Sequence, residues 1–343
     1  MSPISRRSFI PILGTALLGA ASLSLGKKEL IINNNSSSIK PARLKRGDTI
    51  AICAPAGAME NSNDIDKFKV ILESLGLNVK VGENIPKRFG YFSASDQERA
   101  SEFMSFISDD EVHGIFFIRG GWGCARILDI IDFDEIQANP KVIMGFSDIT
   151  SLLNAITAKT GLVTFHGPGG NSTWNDYSVN YIRQLIFEGK KVKYKNLQSD
   201  HSITTYSNGI VTGELFGGNL SILCSLIGSK YLPEWKGKIL FIEDVMEEPY
   251  RIDRMLFQLK LSGLLDEVNG VILGSFRKCT PKEPEKSFTL EQVFEQHFST
   301  FNKPVFYGAQ IGHVRDKFTL PIGVIASMNA SSGTITLVEP SVV

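Results

Sequence analysis

Between residues 49 and 165, short unbroken apolar runs alternate with stretches of helical spacing, and most runs stop at a glycine or proline turn. Thr49–Ala54 ends at Pro55-Ala56-Gly57, Gly114–Ile118 ends at Arg119-Gly120-Gly121-Trp122-Gly123, and Val142–Phe146 runs into Ser147-Asp148. Leu77–Val81 and Leu162–Phe165 read as two further strands. Asp64–Leu75 carries Ile65, Phe68, Val70, Ile71, Leu72 and Leu75 at helical spacing, with Gly76 as a stop. Ser93-Ala94-Ser95-Asp96 caps a helix to about Ile107, a helix is predicted from the glycine turn to Ile131, and another over Ile149–Lys159. Strands without polar alternation are buried on both faces, so the pattern predicts an α/β fold with a parallel sheet covered by helices. At 43% hydrophobic residues, the 343-residue chain has the apolar material for such a core.

The texture changes near Glu188. Lys190–Ser207 is polar with two weak alternating stretches, and Gly213-Glu214-Leu215-Phe216-Gly217-Gly218-Asn219 leads into a helix. A strand over Lys238–Ile242, a long helix over Tyr250–Leu265, a strand over Gly270–Leu273, a helix near Leu290–Phe301 and a strand over Val305–Gln310 follow. Gly323–Val338 reads as two strands joined at Asn329–Gly333. The expected organisation is an N-terminal domain over residues 44–190 and a C-terminal domain over 205–340, preceded by a polar linker over 27–43.

Residues 1–26 read as an export signal. Arg6-Arg7 is followed by Phe9-Ile10, and residues 11–26 carry no charge. That stretch is short for a membrane span, which needs about 20 residues, and it suits the apolar region of a twin-arginine signal. The alternative is an uncleaved anchor. The expectation is a periplasmic protein without stable membrane contact after cleavage. The absence of any Cys in this segment removes a lipoprotein anchor.

Ligands of parallel-sheet proteins gather at the carboxyl ends of strands. Polar residues there are Arg119, Ser147, Asp148, His166, Glu243, Asp244 and His313. Gly145-Phe146-Ser147-Asp148, between strand and helix, resembles a nucleophile elbow, although Ile149 stands where a small residue is usual. A plain helix N-cap explains Ser147 equally well. A serine nucleophile needs a base within hydrogen-bond reach. Of the five histidines, His113, His201 and His297 read as solvated, while His166 and His313 both end apolar strands, and spacing does not choose between them. Glu243 is a candidate orienting acid, with an ion pair to Arg251 or Arg254 as the structural alternative.

Several chemistries find no support. Lys+Arg and Asp+Glu both number 36, so the basic excess of a generic nucleic-acid binder is missing. There is no H-E-x-x-H, C-x-x-C pair or His cluster, so no metal or other cofactor is expected. The glycine turn matches neither nucleotide-binding fingerprint. Cys53, Cys124, Cys224 and Cys279 read as buried free thiols, with three disulfide connectivities as the alternative.

Taken in order, Ala54–Gly57, Arg119–Gly123, Gly145–Thr150, His166-Gly167-Pro168, Leu215–Leu220, Phe241–Asp244, Pro249–Leu256, Ile311-Gly312-His313 and Thr319–Gly323 resemble the serine LD-carboxypeptidases. That family includes muramoyl-tetrapeptide carboxypeptidases and microcin C immunity peptidases. The resemblance implies a flavodoxin-like N-terminal domain, a swivelling β/α C-terminal domain, and an active site at their interface. It implies Ser147 as nucleophile, Glu243 as acid and His313 as base, with His166 in a structural turn. It further implies an oxyanion hole from the backbone N–H groups of Gly121 and Asp148, with Arg119 and Trp122 as candidate substrate-binding residues. A homodimer acting on a small muropeptide follows from the same likeness. Trp122, Gly169 and Lys317 stand where Tyr, Met and Asn are common in the family, which bears on substrate choice more than on mechanism. A binding protein without catalysis and an α/β-hydrolase esterase are the competing classes; the latter lacks its H-G-G-G oxyanion turn.

Overall fold

The computed structural model describes residues 38–197 and 202–343. The signal expected in residues 1–26, most of the linker and His201 lie outside them. The first half alternates as the apolar runs predict: β1 (Thr49–Cys53), α1 (Asn63–Ser74), β2 (Asn78–Val81), α2 (Asp96–Ser108), β3 (Val112–Phe117), α3 (Phe133–Ala138), β4 (Val142–Gly145), α4 (Thr150–Thr160), β5 (Thr164–His166) and α5 (Asp176–Ile182). The second half contains β6 (Lys193–Tyr194), β7 (Thr204–Ser207), β8 (Ile210–Asn219), α6 (Leu220–Ser225), β9 (Ile239–Val245), α7 (Pro249–Leu261), α8 (Leu264–Glu267) and β10 (Gly270–Arg277). It closes with α9 (Leu290–Phe298), β11 (Val305–Tyr307), β12 (Leu320–Ile322), β13 (Ile325–Asn329) and β14 (Thr334–Leu337).

The first sheet runs β2-β1-β3-β4-β5-β12, and its first five strands are parallel in the doubly wound order. Ile50, Ile52, Ile115, Phe116, Ile143 and Met144 are all fully buried, because helices cover both faces. Ser95 and Glu98 form a capping box at the start of α2, which fixes where that helix begins. The edge strand β12 comes from far along the chain and pairs antiparallel with β5, Leu320 opposite His166. Thr319–Gly323 thus completes the first sheet, which pattern reading alone did not assign to a strand.

The second sheet has eight strands in the order β6-β14-β13-β8-β9-β10-β11-β7, with a parallel centre β8-β9-β10-β11 and antiparallel flanks. Three expectations need correction. Gly123–Ile131 holds only a short 3-10 turn, Cys124–Ile127, after which Asp132 caps α3 through the N–H groups of Asp134 and Glu135. The helix predicted over Tyr250–Leu265 breaks at Gly263, whose φ of 75° lies in the left-handed region. Glu243 and Asp244 lie inside β9 rather than after it, because β8 and β10 continue alongside: Asn219 pairs with Glu243 and Phe276 with Asp244.

The two sheets meet through α4, whose first eight residues are all buried. Gly217 and Gly218 of β8 make that contact possible. A Cβ on Gly217 would overlap the Phe241 carbonyl of β9, and one on Gly218 would stand 2.5 Å from the Thr150 hydroxyl of α4. Asn154 donates to the Gly217 carbonyl (2.9 Å), and the Asn219 N–H donates to Thr150 Oγ1 (3.0 Å). The helix that follows Ser147 is therefore hydrogen-bonded to the strand beside Glu243. No helix among the described residues is long and apolar enough to cross a membrane. All four cysteines are buried free thiols.

Candidate active site

Ser147 sits on the turn between β4 and α4 with φ of 63°, one of three non-glycine residues with positive φ among those described. A β-carbon in that region is strained, and such strain clusters at functional sites. The turn is tight enough that a Cβ on Gly145 would come within 2.9 Å of Ile149 and 2.8 Å of Phe117. A sharp strand-to-helix turn with a strained serine is the geometry of a nucleophile elbow.

The glycine turn after β3 lies against this elbow. A Cβ on Gly120 would be 3.0 Å from both the Asp148 nitrogen and Ser147 Cβ. Gly121 has φ of 108°. Asp148 is buried; its carboxylate accepts from the Cys124 N–H (2.8 Å), and burial raises its pKa. Its side chain thus ties the exit of the glycine turn, and its backbone N–H, in the first turn after β4, is one of the helix-end donors that have no intrahelical acceptor. Arg119 donates to the Ala58 carbonyl (2.6 Å) and approaches Glu60 (3.7 Å). Trp122 is 59% exposed and meets Tyr91 edge-on, ring centroids 6.2 Å apart.

The acid and one of the two open histidines come together. His313 Nδ1–H donates to Glu243 Oε2 at 2.6 Å. Glu243 is fully buried; burial pushes its pKa up, but the charge and hydrogen bond of His313, with help from His166 and Asn219, leave it lowered overall. The carboxylate therefore stays ionised and holds the Nδ1–H, so that in the neutral imidazole Nε2 is the acceptor. The Phe146 ring, next to Ser147 in the chain, lies 4.9 Å from the His313 ring. The His313 loop is pinned by Ser275 N–H to the Ile311 carbonyl (3.0 Å) and Phe318 N–H to the Gln310 carbonyl (2.7 Å). A cavity of about 290 Å³ opens beside Val314, lined also by Ser275, Arg277 and Tyr307.

The other histidines separate clearly. His166 is buried between Phe146 and Phe241, and desolvation lowers its pKa to about 4. His113 is exposed and accepts from the Thr49 N–H (3.3 Å). His297 is not solvated as expected: its side chain is 6% exposed and bonds Asp253 of α7 at 2.7 Å, a packing contact between α9 and α7. Glu243 pairs with His313, not with Arg251 or Arg254.

Two further residues organise the site. Arg99, fully buried, donates to the carbonyls of Pro55, Ala94 (3.1 Å) and Gly123 (2.9 Å), joining the turns after β1 and β3. Nothing in its helical context signals this. Asn219, which ends the Gly-Gly-Asn segment, donates to Asp244 (3.0 Å) and approaches Glu243 (3.4 Å). Asp244 also accepts from the Ser221 N–H (2.9 Å) and hydroxyl (2.8 Å), and burial followed by the charge of Glu243 raises its pKa to about 6. Among the described residues, no group of three or more His, Cys, Asp or Glu is placed to hold a metal ion.

Comparison with known proteins agrees over both halves. The model of the LD-carboxypeptidase N-terminal domain matches residues 50–167 and that of the C-terminal domain matches 212–328. A probable murein peptide carboxypeptidase of Bacillus subtilis is 38% identical over 307 residues, covering 88% of this chain and 95% of its own. The microcin C7 self-immunity protein MccF of Escherichia coli is 31% identical, covering 89% and 97%. The solved structure of MccF in complex with glutamyl sulfamoyl guanosine superposes with a TM-score of 0.81 at 27% identity, covering 89% of this chain and 99% of that one. The crystal structure of a muramoyltetrapeptide carboxypeptidase from Oxalobacter formigenes gives 0.74 at 30%, covering 84% and 97%. With both domain models matched in order and this identity spread over most of its length, the chain belongs to the LD-carboxypeptidase family.

Proposed function

We propose that the protein is a serine LD-carboxypeptidase that removes the terminal D-amino acid, D-Ala, from a murein tetrapeptide. The observation that carries this reading is the 2.6 Å His313–Glu243 pair packed, through Phe146, against a strained serine elbow. Ser147 Oγ attacks the carbonyl carbon of the last amide while His313 Nε2 takes the hydroxyl proton. The oxyanion accepts from the N–H groups of Gly121 and Asp148. The C–N bond breaks as the imidazolium returns its proton to the amine of D-Ala. Water, deprotonated by His313, then attacks the acyl ester and releases the shortened peptide and free Ser147. Glu243 holds His313 in the required tautomer and stabilises the imidazolium. The Ser147–His313 hydrogen bond belongs to the substrate complex, where catalytic hydrogen bonds of this kind tighten.

The likeness to murein carboxypeptidases favours a muropeptide, and the likeness to MccF favours a second reading, cleavage of a peptidyl-nucleotide analogue. Incubation with muramoyl tetrapeptide and, separately, with aspartyl sulfamoyl adenosine separates them: release of D-Ala from the first without release of aspartate from the second supports the murein reading, and the reverse supports the other. We further propose export by the twin-arginine segment and homodimerisation. Retention in the cytoplasm of an Arg6→Lys/Arg7→Lys variant, and the mass in solution, test these two points.

A further inference from the structure

Lys317 lies in the same shell as the candidate triad. Its ammonium stands 5.0 Å from the centre of the Phe146 ring, the ring that also faces His313. The residue is only 4% exposed. Its backbone is held by a hydrogen bond from its N–H to Ser178 Oγ (3.1 Å) and by the Phe318–Gln310 bond that follows.

Burying a charge is costly unless it is paired. The other deeply buried cations obey this rule. Arg99 bonds three carbonyls and Asp96. Lys141 donates to the carbonyls of Asp109 and Val112. Among the described residues no carboxylate or carbonyl hydrogen-bonds the Lys317 ammonium, which lies against the Phe146 face. The two acids nearest in charge are engaged elsewhere: Glu243 with His313, and Asp316 with the Asn175 amide. A buried cation beside a nucleophile, without an anion of its own, is set up to receive one from a ligand.

We propose that Lys317 binds the terminal carboxylate of the substrate, so that the site selects peptides with a free chain end. This rests on the carboxypeptidase reading above. In such a substrate the carboxylate is attached one carbon beyond the scissile nitrogen, so it must lie within a few ångströms of the elbow. Phe146 joins the two functions: its backbone leads into Ser147 and its ring carries the ammonium by a cation–π contact. Burial, helped by the positive charge of Arg277, lowers the Lys317 pKa to about 8 against the opposing pull of Glu243 and Asp316, so the group remains mostly protonated at neutral pH. An arriving carboxylate would supply the missing partner.

The test uses binding, which does not depend on turnover. Ser147→Ala protein is titrated with muramoyl tetrapeptide and with the same peptide as its C-terminal carboxamide. A charge-assisted hydrogen bond predicts about 10–100-fold tighter binding of the acid. Adding Lys317→Met should bring the two peptides within about twofold, and Lys317→Arg should keep most of the preference. Lys317→Gln gives the same comparison if the Met variant does not fold. Equal binding of acid and amide to Ser147→Ala, no binding of either, or a preference that survives loss of the cation overturns the proposal. A wild-type protein that releases no D-Ala, while Ser147→Ala keeps a Lys317-dependent preference, would refute the peptidase reading and leave the carboxylate site standing.

Discussion

Gly312 and Glu243 cannot both carry a full side chain where they stand. A Cβ on Gly312 would overlap Oε2 of Glu243, the oxygen that bonds His313, and its φ of 92° is unfavourable for any other residue. Gly312→Ala should therefore push the carboxylate off the imidazole. A misplacement of about 1 Å in a catalytic group costs on the order of 100-fold. The expected result is a fall in kcat of that size with an unchanged far-UV spectrum; near-normal kcat would show that the carboxylate need not contact His313.

The strain at Ser147 can be read without substrate. Glycine adopts positive φ freely, whereas a β-carbon costs about 1–2 kcal/mol there. Ser147→Gly should be more stable than Ser147→Ala by about 1 kcal/mol in urea unfolding, although both are inactive. Equal stability would mean that the elbow is relaxed.

Lys317 should cost the free protein stability. Its folded pKa, about 8, lies below the ordinary value of 10.5. Between those values the unfolded chain holds the extra proton, so stability rises as pH climbs from 8 to 10.5 and is lower below 8. The shift corresponds to at most about 3 kcal/mol. Lys317→Met should raise Tm at pH 7 by roughly a few degrees and flatten the alkaline rise. A lower Tm for the variant would contradict an unpaired buried charge.

His166 should contribute to acid lability. Its folded pKa of about 4 lies below the ordinary 6.5 because burial disfavours the imidazolium. The unfolded state takes up the proton first, so stability is lost as pH falls from about 6.5 towards 4, by up to about 3 kcal/mol. Urea midpoints across that range should fall for the wild type and less steeply for His166→Leu. Parallel curves would assign the acid loss to other groups.

The first sheet was legible because its strands are buried on both faces and carry continuous apolar runs such as Ile50–Cys53 and Val142–Met144. Turn chemistry marked the glycine turn and the elbow. What pattern could not supply was long-range. β12 has three residues and no periodicity, and only its pairing with β5 makes it a strand. The choice of His313 over His166 was open on spacing alone, since both follow apolar strands; the fold distinguishes them by giving one a carboxylate and the other two aromatic rings. Arg99 looks like an ordinary surface cation in the sequence, and only burial singles it out; Lys317 stands out there as a departure from the family pattern, and burial adds that its charge is enclosed. The break at Gly263 was readable in principle, because a glycine after Ser262 is a helix stop.

The most direct measurement is D-Ala release from muramoyl tetrapeptide by wild type, Ser147→Ala and Glu243→Gln, each with and without EDTA. The account predicts one D-Ala per tetrapeptide from the wild type and none above background from Ser147→Ala. It predicts a kcat about 10³–10⁴-fold lower for Glu243→Gln, whose neutral amide cannot stabilise the imidazolium, and no effect of EDTA. Release that persists in Ser147→Ala, or that EDTA abolishes and zinc restores, would contradict it.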